Sequence, residues 1–198
     1  RARGAGGGQR GGGGGRRGKA VVRGEGSATP RPGDACANYR PMGVSCPEAI
    51  LQPPVFDPHA DAAINYGAIG GVIGHEMSHQ FDDQGAKYDE KGRLATWWTQ
   101  ADIDAFHART DALIKQFSAY EPLPGMHIDG KLTLREKIAD LAGLTVAYDA
   151  YKASPESRNA KTIDGFTPDQ RFFLGWAQLW RLSYRGADLR RRLLTNGH

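Results

Sequence analysis

Apolar residues recur every three or four positions along much of the chain after residue 61, and this spacing predicts helices. The first predicted helix covers residues 62–83, with Asp61 as its N-cap. It contains Gly67, Gly70 and Gly71, and each glycine costs a helix about 1 kcal/mol relative to alanine. We therefore expect this helix to be buried, with a neighbouring element packed closely against its glycines.

Three further helices are predicted downstream. Apolar spacing indicates one helix over residues 99–119 and another from residue 132 or 133 to about residue 153. Thr167 followed by Pro168 is typical of an N-cap and a first helical residue, so a fourth helix is expected from there to about residue 180. The fold class predicted by this pattern is mainly α with a small β component.

The segment before the first predicted helix has a different character. Seven prolines lie between residues 27 and 58, and they prevent any long helix there. Residues 27–49 are therefore expected to form an extended or loop segment.

Composition and charge change the picture mainly at the ends of the chain. The net charge is +4, but residues 1–26 carry a net +6, residues 181–192 a net +4, and the stretch between them a net −6. Residues 1–26 hold twelve of the 27 glycines and no apolar periodicity, so a disordered tail is expected. An RNA-binding Gly/Arg segment is the functional alternative. Because no aromatic residue is interleaved for base stacking, no nucleic-acid partner is expected.

Composition also excludes two classes of protein. Two cysteines are too few for a disulfide scaffold, and no run of 18 apolar residues exists to span a membrane. With 39% hydrophobic residues, the chain is long enough to bury one core. A single globular domain with a basic tail is therefore expected.

The first predicted helix contains the sequence His75-Glu76-Met77-Ser78-His79, an HExxH motif. Two histidines four residues apart project from one face of a helix, where both imidazoles are able to bind one zinc ion. The glutamate beside the first histidine then lies near the open fourth position of the zinc. This spacing predicts that His75 and His79 are zinc ligands and that Glu76 lies beside the open position.

A zinc hydrolase needs a third protein ligand. The metzincin spacing is excluded, because Asp82 and Gly85 stand where that class has a glycine and a histidine. Glu136 has Asp140 four residues later on the same helix face, an arrangement suited to binding zinc and orienting a histidine. A solvated helix face explains this pair equally well. The candidates for the third ligand, all downstream acids, are Glu90, Glu121, Glu136 and Glu156.

Several segments together resemble the neprilysin and endothelin-converting-enzyme family of zinc metallopeptidases, which are gluzincins. The resemblance runs from about residue 50 to residue 198. It implies a thermolysin-like zincin catalytic domain over residues 50–198, with HExxH on a buried helix. The segments are LQPPVFD (51–57), NYGAIG (65–70), VIGHE (72–76), HQFDDQG (79–85), WWT (97–99) and LTLREKIAD (132–140).

This resemblance also implies roles for individual residues. His75, His79 and Glu136 are implied to bind one zinc ion, and Glu76 to act as the general base. Asp140 is implied to hold a zinc-binding histidine, and Asp82 is implied to be a further supporting acid. His198 resembles the family histidine that stabilises the transition state. The implied activity is hydrolysis of peptide bonds in oligopeptides or proteins, at an extracytoplasmic location.

The chain also departs from the family pattern. Lys137 stands where the family has an asparagine, and Asp34 replaces the asparagine of a substrate-binding Asn-Ala pair. The arginine expected after His198 and the helical lobe that encloses the family's active site are not in the sequence, so the catalytic domain is expected to be incomplete at its C-terminus. The alternative function is therefore an inactive fragment that still binds zinc. The sequence does not predict an oligomeric state.

Overall fold

The computed structural model describes residues 36–38, 43–46 and 48–198, and this part of the chain is mainly helical, as its sequence predicts. The expected tail at residues 1–26 and most of the segment at residues 27–49 lie outside the described residues. Strands β1 (Cys36–Asn38) and β2 (Gly43–Ser45) pair antiparallel, with Ala37 opposite Val44. They supply the small β component, and a 3₁₀ turn follows at Glu48–Ile50.

The first predicted helix forms as three consecutive segments. Helix α1 (Ala62–Asn65) leads into a π-helical segment (Tyr66–Gly70) and then into helix α2 (Gly71–Ser78). The helix therefore ends five residues earlier than predicted. The reason is local, because the Asp82 carboxylate accepts the backbone N–H groups of Gln84 and Gly85 at 2.8 and 2.7 Å and turns the chain.

The remaining helices follow the predicted order, with two additions. They are α3 (Gln100–Ser118), α4 (Leu134–Ala153), α5 (Pro155–Arg158), α6 (Pro168–Leu179) and α7 (Gly186–Thr195). Helices α3 and α6 both begin at a capping box, formed by Thr99 with Asp102 and by Thr167 with Gln170. None of the helices in the described residues is both long and apolar enough to cross a membrane. The short α5 and the arginine-rich α7 were not predicted as separate helices.

Helices α2 and α4 cross with their backbones in direct contact. A Cβ atom added at Gly74 would lie 2.9 Å from the Gly143 Cα, and one added at Gly143 would lie 2.7 Å from the His75 Cα. Only glycine at both positions permits this approach. The crossing therefore brings the side chains of α4 up to the histidines of α2.

A second contact fixes the other side of the same helical run. A Cβ added at Gly67 would overlap the backbone of Phe172 in α6, as the glycines of the first helix lead us to expect. Phe172 is fully buried with Ala63, Ala147 and Tyr151 in the core between α1, α4 and α6. This core holds the metal-binding candidates on a rigid support.

We expect Gly143→Ala to destabilise the fold by about 1–3 kcal/mol, because the added methyl group meets backbone atoms that cannot move without separating α2 from α4. Gly70→Ala is the matched control. A Cβ at Gly70 would meet its nearest atoms at 3.7 Å, and the helix gains up to about 1 kcal/mol from alanine. Urea unfolding followed by circular dichroism measures both variants, and equal stabilities would contradict the close crossing.

Candidate metal centre

Helix α2 presents two buried histidines on one face. His75 and His79 are 6% and 4% exposed, and their ring centroids lie 4.6 Å apart with the rings nearly perpendicular. The four-residue spacing places them one turn apart, with His79 at the C-cap of the helix. Their Nε2 atoms both face the first turn of α4.

Glu136 in that first turn completes a three-residue cluster. Its Oε2 atom lies 3.2 Å from His75 Nε2 and 3.4 Å from His79 Nε2. Zinc–ligand bonds of about 2.0–2.1 Å in a tetrahedron separate neighbouring ligand atoms by about 3.3 Å. Within the described residues, this is the group whose histidine and carboxylate atoms converge closely enough to hold a metal ion.

The chemistry of these three side chains fits a zinc ion. Glu136 Oε2 is buried and makes no hydrogen bond, because neither Nε2 contact has hydrogen-bond geometry. Burial raises the pKa of Glu136, but its contacts with His75 and His79 outweigh burial and hold the pKa well below its usual range. The group therefore presents an ionised oxygen and two imidazole nitrogens to one point.

A carboxylate lies behind each histidine. Asp140 Oδ1 is 2.9 Å from His75 Nδ1, and Asp82 Oδ2 is 2.7 Å from His79 Nδ1. Each carboxylate accepts a hydrogen bond from Nδ1–H, the tautomer in which Nε2 is able to bind a metal. Burial lowers the pKa of His75, but Asp140 and Glu136 outweigh burial and raise it to about 9. Metal binding must therefore release a proton from this imidazole.

Two cations on α4 contact these carboxylates in turn. Lys137 Nζ lies 2.8 Å from Asp140 Oδ2, and Arg135 Nε donates to Asp82 Oδ2 at 3.0 Å. Burial raises the pKa of Asp140, but His75 and Lys137 together hold it below its usual value. Because these two cations flank Glu136, the sequence alone is explained equally well by a solvated helix face. The three-residue spacing of Lys137 and Asp140 is the one sequence signal for either contact.

The other predicted site residues lie around the cluster. Glu76 is buried in α2, and its negative charge also raises the pKa of His75. His198 Nδ1 lies 3.5 Å from Glu136 Oε2, and its ring stacks at 6.3 Å from that of His75. The His198 side chain is 55% exposed, so it lies at the open side of the cluster.

The remaining acidic candidates for the third ligand do not join the cluster. Glu90, Glu121 and Glu156 are exposed, as are His59 and His107. Asp34, the predicted departure in substrate binding, lies outside the described residues.

Comparison with known proteins identifies a family whose model matches the part of the chain that contains this cluster. The model of peptidase family M13 matches residues 37–198. The chain belongs to this family. The M13 match includes both helices that carry the metal-binding candidates, α2 and α4.

Individual M13 relatives agree with this assignment. Rat (Rattus norvegicus) endothelin-converting enzyme 1 is 37% identical over 183 residues, which are 91% of this chain and 24% of that protein. Neprilysin-11 of Caenorhabditis elegans is 37% identical over 160 residues, covering 78% of this chain and 19% of that protein. The chain therefore spans about a quarter or less of these relatives.

A solved structure shows that the fold is shared as well. The zinc metalloprotease Zmp1 of Mycobacterium tuberculosis, crystallised with an inhibitor, is 49% identical and superposes with a TM-score of 0.77. The match covers 83% of this chain and 26% of that one. The predicted zincin-like helical fold is thereby confirmed.

We expect the purified chain to bind one zinc ion and His79→Ala to lose it, because a single histidine and a carboxylate are too few ligands for a stable protein site. His107→Ala is the control, since His107 is an exposed histidine on α3. Zinc content after dialysis measures the difference. Retention of one zinc by His79→Ala would rule out this cluster as the site.

Proposed function

We propose that the chain is the catalytic portion of a zinc-dependent metalloendopeptidase that hydrolyses peptide bonds of oligopeptides or proteins. The observation that carries this proposal is the convergence of His75 Nε2 and His79 Nε2 on Glu136 Oε2, at 3.2 and 3.4 Å, in a buried position. Membership of the M13 family supports it independently. The peptide is the expected partner, and one zinc ion is the expected cofactor.

His75, His79 and Glu136 would hold the zinc, and Asp140 and Asp82 would orient the two imidazoles. When bound, zinc would supply Lewis acidity, which polarises a peptide carbonyl and lowers the pKa of bound water to about 7. The remaining steps belong to side chains of the chain itself.

Glu76 is the proposed general base. It follows His75 in the buried part of α2, and its charge acts on the His75 imidazole, which supports this role. The carboxylate takes a proton from the attacking water and then donates that proton to the leaving amine. His198 donates a hydrogen bond to the oxyanion that develops on the substrate carbonyl, a role suited to its exposed ring on the open side of the cluster.

The alternative is a chain that binds zinc without hydrolysing peptides. The observation behind it is the length of the chain, which covers 24% of rat endothelin-converting enzyme 1 and 26% of Zmp1. Hydrolysis of a quenched fluorescent peptide, lost on chelation and restored by zinc, distinguishes the two functions. Stoichiometric zinc without hydrolysis would support the alternative. The extracytoplasmic location expected from the family resemblance stays a prediction.

We expect Glu76→Gln to retain one zinc ion and to lower kcat by about 10²–10⁴-fold. Glutamine has the shape of glutamate but cannot accept the proton of the attacking water. Zinc content and peptide hydrolysis are measured on the same preparation. A variant that keeps wild-type turnover would overturn the role of Glu76.

His198→Ala is expected to lower kcat by about 10²–10³-fold while zinc stays bound, because the substrate oxyanion loses one donor. His127→Ala is the matched control, an exposed histidine in a loop. Zinc loss in His198→Ala would instead make His198 part of the metal site, since its Nδ1 lies 3.5 Å from Glu136 Oε2.

A further inference from the structure

The two residues that flank Glu136 in sequence both reach the carboxylates behind the histidines. Lys137 Nζ lies 2.8 Å from Asp140 Oδ2, while Asp140 Oδ1 lies 2.9 Å from His75 Nδ1. On the other side, Arg135 contacts Asp82, which contacts His79. Each imidazole is thus the last member of a series of contacts that runs from a cation to a carboxylate to the ring.

The two series of contacts differ in how firmly the carboxylate is held when its cation is removed. Asp82 is fully buried, and its Oδ1 accepts two backbone N–H groups, from Gln84 and Gly85. The Asp140 side chain is 23% exposed, and Lys137 binds the oxygen that does not face His75. Removing the cation therefore frees Asp140 more than it frees Asp82.

Lys137 is itself anchored. Its Nζ lies 5.7 Å from the centre of the Phe117 ring of α3, and its side chain is only 22% exposed. An ammonium over an aromatic face is attracted to the ring at this distance. The side chain is thus restrained at two points, which makes it able to restrain the carboxylate it binds.

We propose that Lys137 is a positioning residue for the metal site, and that it acts by fixing the Asp140 carboxylate that orients His75. This inference rests on the proposed function, because it requires His75 to be a metal ligand. Arg135 acts on Asp82 and His79 in the same way but to a smaller extent, since the backbone already holds Asp82.

Positioning and simple charge repulsion predict opposite signs. Removing a cation near a divalent metal relieves repulsion and should tighten metal binding. Removing a positioning residue leaves Asp140 able to rotate away from His75 and should weaken metal binding. The direction of the change in zinc affinity therefore decides between the two effects.

The test compares Lys137→Met with Lys152→Met by zinc competition against a chromogenic chelator. Lys152 is the matched control on the same helix, with Nζ 3.1 Å from Asp169 and 5.7 Å from the Tyr148 ring. We expect Lys137→Met to weaken zinc binding about 3- to 10-fold. This effect is smaller than the loss of about 10- to 100-fold that is typical when the direct hydrogen-bond partner of a metal ligand is removed. Lys152→Met should bind as wild type, and Lys137→Arg should restore most of the affinity.

Cobalt substitution supplies a readout independent of turnover. The visible bands of bound Co²⁺ report ligand geometry, so they should shift in Lys137→Met and not in Lys152→Met. In an Asp140→Asn background, Lys137→Met should change zinc affinity by less than about 2-fold, because the effect passes through Asp140. Arg135→Met should weaken binding less than Lys137→Met.

Each outcome bears on the inference. Unchanged or tighter zinc binding in Lys137→Met overturns it, as does an undiminished effect in the Asp140→Asn background. A wild-type chain that takes up no zinc overturns the proposed function and the role of Lys137 together. Wild-type zinc binding with a silent Lys137→Met overturns the role of Lys137 alone.

Discussion

The contact between Gly74 and Gly143 is the constraint on which the metal centre depends. Two side chains on α2 and one on α4 meet at a single point only if the helix axes come closer than ordinary side chains allow. Glycine at both positions of the crossing allows this close approach. Gly74 lies one residue before His75, and Gly143 lies seven residues after Glu136. The ligand geometry is therefore set by backbone packing, with the fully buried Phe172 core supporting it from the other side.

Burial of so many ionisable groups requires alternating charge. Isolated buried carboxylates are expensive, and pairing with hydrogen-bonding cations reduces that cost. Starting from Lys137, the order is ammonium, carboxylate, imidazole and the Glu136 carboxylate, and a similar order starts from Arg135. Both series of contacts end at Glu136, whose Oε2 atom accepts no hydrogen bond. A divalent cation at this point would supply the positive charge that completes both.

The sequence predicted those parts of the site that depend on local spacing. Helical periodicity alone places His75 and His79 on one face, and the Thr167-Pro168 pair correctly marked the start of α6. The third member could not be chosen by spacing, because Glu136 reaches the histidines only through the crossing of α2 and α4. The early end of α2 comes from the local turn at Asp82, whereas the contact of Arg135 with Asp82 joins residues 53 positions apart and so could not be predicted from spacing. Helix α7 is short and contains three consecutive arginines, so its apolar positions, Leu189, Leu193 and Leu194, were too few to indicate a separate helix.

The π-helical segment at Tyr66–Gly70 has a consequence for how this chain tolerates insertions and deletions. Its wider turn accommodates one more residue than an α-helical turn does, and each residue advances the helix face by about 100°. Helix α1 can therefore face α6 while α2, in the same continuous run, faces α4. Loss of one residue here would keep the run helical and would not alter the identity of the other residues. It would nevertheless rotate the two histidines out of phase with Glu136. The length of this segment is therefore constrained as well as its residue identity, which the contact of Gly67 with Phe172 already restricts.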